Sequence, residues 1–176
     1  MSDYKHKYYW KPYTDEYVNL FELEKANIEH NLCVKDLKIY HVGSTAIPEV
    51  GGKGIIDIYI TTPAKNIQEV ICELEDLGYE FREHASNEGR KFMQKVLDLH
   101  TYHIHISEPS DKQFIRTLAF RDCLREDSEL AEKYSEIKKL AAEEALKQDN
   151  KEDAKNRYME IKQPVIHEIL EKIGLS

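Results

Sequence analysis

The stretch His41-Val42-Gly43-Ser44-Thr45-Ala46-Ile47-Pro48, followed by Lys53-Gly54-Ile55-Ile56-Asp57-Ile58-Tyr59-Ile60, decides how the rest of the chain is read. An apolar strand pattern over 37–42 runs into Gly-Ser. A glycine-rich loop follows, and a second apolar strand over 55–60 carries one carboxylate in its middle. A Gly-Ser turn leaves backbone N–H groups open to an anion, because glycine accepts positive φ and lets a phosphate come close. The same dipeptide also serves as an ordinary turn. Asp is depleted in strands and costly to bury, so Asp57 is a candidate for chemistry, most simply for holding a metal ion against phosphate oxygens. Its structural alternative is a buried carboxylate bonded to neighbouring backbone.

Working outward, residues 14–32 read as a helix with Thr14 as its cap and Asp15 and Glu16 in its first turn. Tyr17, Phe21, Glu24, Ile28 and Leu32 recur at helical spacing, and all but Glu24 are apolar. Thr62-Pro63 opens a second helix with the stripe Ile67, Val70, Ile71, Leu74 and Leu77, ended by Gly78. Strands are expected at 79–83, 90–97 and 100–106. After Pro109 the character changes. Ser110-Asp111-Lys112-Gln113 reads as a capping box, and helices are expected near 111–126, 129–148 and 151–173, with Pro164 bending or shortening the last. The chain reads as one domain over 1–176: an α/β core with the sheet over 1–109 and a helical segment over 110–176. The fold class is α+β, a small mixed sheet covered by helices on one face.

Alternation assigns the faces. Ile56, Ile58 and Ile60 point one way, and Asp57 and Tyr59 the other. In the last strand Tyr102, Ile104 and Ile106 share the covered face, so His103 and His105 join Asp57 on the open one. Asp57, His103 and His105 are the candidate catalytic residues and candidate ligands of a divalent metal, Mg, Mn or possibly Zn. The two histidines also fit a plain polar face. Gly43, Ser44, Thr45, Lys53, Arg90, Lys91 and Arg121 are candidates for binding substrate phosphate, each cation having a solvated charge as its alternative. His41 supports the turn. Tyr158 and Lys162, one helical turn apart, either reach the cleft or seal helix packing. Lys138-Lys139 and Glu143-Glu144 read as solvated helix faces.

A net charge of −8 argues against a protein that coats nucleic acid, though not against one small nucleotide as ligand. Cys33, Cys72 and Cys123 have no metal or redox spacing and read as reduced, buried thiols of a cytoplasmic protein. No apolar run reaches the ~20 residues of a membrane span.

These residues together resemble the GrpB family (UPF0157-like). The likeness covers nearly the whole chain: Phe21, Glu24 and Lys25; the segments 41–48 and 53–57; Arg90-Lys91-Phe92; Thr101-x-His103-x-His105; Leu118-Ala119-Phe120-Arg121-Asp122-x-Leu124-Arg125; and Tyr158 with Lys162. The family is similar to the nucleotidyltransferase-like superfamily, which has the polymerase-β-like fold. There a Gly-Ser turn and an Asp-x-Asp or Asp-x-Glu strand hold a triphosphate and two metal ions. Gly43-Ser44 and Asp57 match that pattern, whereas Tyr59 stands at the second carboxylate. The resemblance implies a nucleotidyltransferase-like enzyme that binds a nucleotide or phosphorylated small molecule with a divalent metal. The alternative is a binding or folding-assistance module that has lost catalysis, as domains of this kind fused to dephospho-coenzyme A kinase suggest.

Overall fold

The computed structural model describes residues 8–175. In chain order the elements are α1 (Glu16–Asn31), β1 (Lys38–Val42), a 3-10 turn (Ser44–Ala46), β2 (Ile55–Thr61), α2 (Ile67–Asp76), β3 (Glu80–Phe81), β4 (Arg90–Val96), β5 (Thr101–Ser107), α3 (Lys112–Glu126), α4 (Ser128–Leu146) and α5 (Lys151–Lys172). The five strands form one sheet in the order β1-β2-β5-β4-β3. β2 and β5 run parallel, and every other pair is antiparallel.

The covered face is built as the alternation requires. Ile56, Ile58, Ile60, Met93, Ile104 and Ile106 pack against Tyr17, Phe21 and Ile28 of α1 and Val70, Ile71 and Leu74 of α2. Glu24, the polar residue in the α1 stripe, has its own partners there. It accepts the Tyr79 hydroxyl at 2.8 Å and pairs with Lys95 at 3.1 Å. A carboxylate in an apolar stripe is tolerable when it is paired and hydrogen-bonded in this way.

The opposite face is less open than its sequence suggests. Tyr59 is 1% exposed, because Tyr40, Val42 and Tyr59 make an apolar strip that Phe114 and Leu118 of α3 cover. A second core joins Ile47 and Val50, just past the turn, to Leu124, Leu130, Tyr134, Val165 and Ile169 of the three C-terminal helices. α3 is capped by Asp111, which accepts from the Phe114 N–H at 3.0 Å, in place of a Ser110–Gln113 box. The cap position of α1 is Asp15, and Thr14 accepts only a long bond from the Glu16 N–H.

α5 runs through Pro164 without a break. Glu160 and Pro164 are both exposed, so the carbonyl that loses its donor is open to water. The cysteines correct a further expectation: Cys33 and Cys72 are exposed and Cys123 is half-buried, all three as free thiols. No described helix is long and apolar enough to cross a membrane.

Candidate functional site

Parallel pairing of β2 with β5 sets Asp57 beside His103 and Tyr59 beside His105. His103 Nδ1 lies 3.3 Å from Asp57 Oδ1, and His105 Nε2 lies 3.9 Å from the same oxygen. Burial pushes the Asp57 carboxyl up, but the two imidazoles outweigh it and hold the group below the usual carboxylate range. From β4, Arg90 Nη1 meets His105 Nδ1 at 2.5 Å, while its other terminal nitrogen donates to the Ala85 carbonyl. A guanidinium can only donate, so His105 Nδ1 is the acceptor and the ring proton sits on Nε2, the nitrogen turned to Asp57.

The Gly43-Ser44 turn is pressed onto this cluster. Gly43 has φ +71, and a Cβ there would fall 2.3 Å from Asp57 Oδ2. The turn is held from behind. The Thr45 hydroxyl donates to the Ile55 carbonyl and takes the His41 Nε2–H at 3.1 Å. His41 stacks on Phe21, and burial first, then the charge of Arg125, lowers its pKa to about 4.

Gly52 is bare for a different reason. A Cβ there would meet Ser44 Oγ at 2.6 Å and Lys138 Nζ at 2.8 Å, so the hydroxyl and the ammonium converge over this residue. Lys138 is 6% exposed and donates to the Gly51 carbonyl at 2.8 Å. It makes no ion pair among the described residues. Burial, reinforced by the charges of Lys162 and, more weakly, Lys53, lowers its pKa to about 7, against the pull of the Asp57 carboxylate. Lys162 is likewise lowered by burial and by Lys53. Lys53 lies over the rings of Tyr8 and Tyr158, and Lys162 over Tyr158. The Lys138 ammonium thus sits beside Ser44, with Lys162 and Lys53 near enough for their charges to act on it.

The expected site residues therefore divide. Asp57, His103, His105, Gly43 and Arg90 form one cluster, and Ser44 and Lys53 belong with Lys138 and Lys162. Arg121 lines a cavity beside Ser44, with its guanidinium engaged by Asp122 and the His41 carbonyl. Thr45 is buried behind the turn. Lys91 lies on the other sheet face, opposite Ile106, and reaches the Asn87 carbonyl.

Lys138 corrects the reading of Lys138-Lys139 as a solvated face. Ala131, Tyr134, Lys138, Ala141 and Ala145 recur at helical spacing and are all buried, so the signal was a lysine inside an apolar stripe. The donors fit a metal poorly. Tyr59 brings no carboxylate, and the His105 nitrogen nearest Asp57 carries a proton. Among the described residues no three His, Cys, Asp or Glu side chains are arranged to hold a metal ion.

A family profile described as GrpB protein matches residues 10–172. UPF0157 protein PA4798 of Pseudomonas aeruginosa is 36% identical over 127 residues, 69% of this chain and 52% of that protein. The chain spans 38% of another curated relative, so about half or less of the length of these two. The crystal structure of conserved protein GrpB from Enterococcus faecalis has a TM-score of 0.75 at 28% identity, covering 93% of this chain and 98% of that one. The Cid1 poly(U) polymerase has a TM-score of 0.53 at 13% identity over 75% of this chain and 43% of its own. That likeness concerns the fold alone, which is nucleotidyltransferase-like.

Proposed function

The chain belongs to the GrpB family, and from that premise we propose that it binds a nucleotide or phosphorylated small molecule, with the phosphates between Ser44 and the lysines Lys138, Lys162 and Lys53. One observation carries this reading: Lys138 is buried over Gly52 with a carbonyl as its hydrogen-bond partner and no ion pair among the described residues, the charge of Asp57 offsetting its burial only in part. A buried ammonium is costly unless paired, and a phosphate is the partner that the adjacent hydroxyl and cations favour. The lysines, rather than a resident metal, supply the positive charge.

Asp57 and His103 give the site its reactive pair. With Nδ1–H aimed at the carboxylate, His103 keeps a lone pair on Nε2, and the residue lines a cleft with Lys53, Arg82, His84 and Gln94. An acceptor hydroxyl entering there gives its proton to Nε2 as its oxygen bonds to phosphorus, and the leaving group departs with the electrons of the broken P–O bond. A second reading, a binding module without turnover, is favoured by Tyr59, which is sealed under Phe114 where the superfamily holds its second carboxylate.

The test is calorimetry with pyrophosphate and with nucleoside triphosphates, in chelator and with Mg²⁺ or Mn²⁺. Binding is expected in chelator and is expected to weaken by about tenfold or more in Lys138→Met, with Tm unchanged or raised. Absence of binding in every condition, or equal binding by the variant, overturns the proposal. Turnover that is lost in His103→Ala while pyrophosphate still binds selects the enzyme. Binding without turnover in the unmutated chain selects the module.

A further inference from the structure

A cavity of about 660 Å³ opens on the other side of Ser44, between the turn and the three C-terminal helices. Its size falls within the roughly 300–1,000 Å³ span of small-molecule sites. Ile47, Phe120, Tyr134, Ile166 and Leu170 give it apolar walls, and Lys112, Arg116 and Arg121 give it three cations. Among the described residues no carboxylate lines it, although Asp and Glu outnumber Lys and Arg by 33 to 25 in the chain. Lys112 and Arg116 stand one turn apart on α3, exposed, and make no ion pair among the described residues. The neighbouring helix contacts are close-packed around Leu124, Val165 and Ile169, each 1% exposed or less, so the opening is not a general looseness of the bundle.

We infer that this cavity binds a second ligand, an amphipathic acid whose apolar body lies on Phe120, Tyr134, Ile166 and Leu170 and whose carboxylate or phosphate head meets Lys112 and Arg116. An apolar wall selects a hydrocarbon or ring system. A guanidinium and an ammonium on one helix face select an anionic head, with Arg able to bind it in bidentate fashion. A neutral or cationic analogue of the same body lacks half of this recognition. Because Gly43 and Ser44 form one wall, the ligand touches the turn that holds the phosphates from the other side. Its place as a second substrate rests on the phosphate reading above; the binding itself does not.

The experiment uses the full chain with decanoate, decyl phosphate, decanol and decylamine as probes, followed by calorimetry. Decanoate or decyl phosphate is expected to bind, and the stronger of the two identifies the head group. The double variant Lys112→Ala/Arg116→Ala is expected to weaken the acids by about tenfold while leaving decanol unchanged. Thr117→Trp, which fills the cavity from the half-buried face of α3, is expected to abolish binding of all the probes. Pyrophosphate binding measured on the same samples separates the two sites. Lys138→Met should lose pyrophosphate and keep decanoate, and Lys112→Ala/Arg116→Ala should do the reverse. Acids that bind no better than decylamine overturn the inference. So does unchanged decanoate binding in a Thr117→Trp variant that melts as the unmutated chain does.

Discussion

Two lysines are withdrawn from solvent on opposite sides of the sheet, and their surroundings differ in one respect. Lys95, on the side packed by α1 and α2, pairs with Glu24 at 3.1 Å and lies over the Tyr79 ring. Lys138, on the side of the C-terminal helices, has the Gly51 carbonyl and the Tyr134 ring but no ion pair among the described residues, and feels the ammonium groups of Lys162 and Lys53 as well as the carboxylate of Asp57. The first arrangement is complete within the protein and serves the fold. The second leaves the ammonium without an ion pair among the described residues, and this is where the proposed phosphate would add its charge. Burial of charge therefore carries no functional meaning by itself; what separates the two lysines is that, among the described residues, only Lys95 has a carboxylate in ion-pair contact.

The sharpest way to break this comparison is mutation of each side. Glu24→Ala should cost about 4 kcal/mol in urea unfolding, since it strands Lys95 and the Tyr79 hydroxyl. Lys138→Met should lose nothing, or gain about 1 kcal/mol, for a residue of similar length without the charge. Equal losses in both variants would make the two lysines equivalent.

Acid titration comes next. His41 has an ordinary pKa of 6.5 and is held at about 4 in the folded chain. Between these values the unfolded chain takes up a proton that the folded chain refuses. Stability from this residue is complete above pH 6.5 and falls as pH drops toward 4. The loss should be about 3 kcal/mol, read by denaturation at stepped pH, and absent in His41→Gln.

A smaller effect sharpens the other side. Lys138 is at about 7 without ligand, and a bound phosphate raises it, so binding takes up a proton. Pyrophosphate affinity should fall as pH rises above 7, by up to about tenfold per unit, and this slope should vanish in Lys138→Met. Smallest of all, Asp111→Ala should cost about 1 kcal/mol in thermal melts, by uncapping the helix that covers Tyr59.

The elements and the facing of Asp57 with the two histidines were legible because alternation in β2 and β5 leaves few ways to bury five isoleucines. Glu24 was visible as an exception in its stripe, yet its partners, Tyr79 and Lys95, lie 55 and 71 residues away and no local pattern names them. Tyr59 was placed on the right face and given the wrong environment, because the covering Phe114 belongs to a later helix. Lys138 was missed for the converse reason. A doubled lysine reads as surface unless the alanine and tyrosine spacing around it is given more weight than its charge.

The bonds that shape the turn and its loop have a temporal consequence. Arg125 holds the Ala46 carbonyl, Arg121 the His41 carbonyl, Ser135 the Gly51 N–H and Lys138 the Gly51 carbonyl, across 79, 80, 84 and 87 residues of chain. Each closes a loop whose entropy must be spent before the contact forms, and such distant pairings are late events in folding. During synthesis, all five strands have been made before any of these partners exists. The sheet can therefore pair first, and Gly43-Ser44 takes its final shape only when the last third of the chain docks onto it.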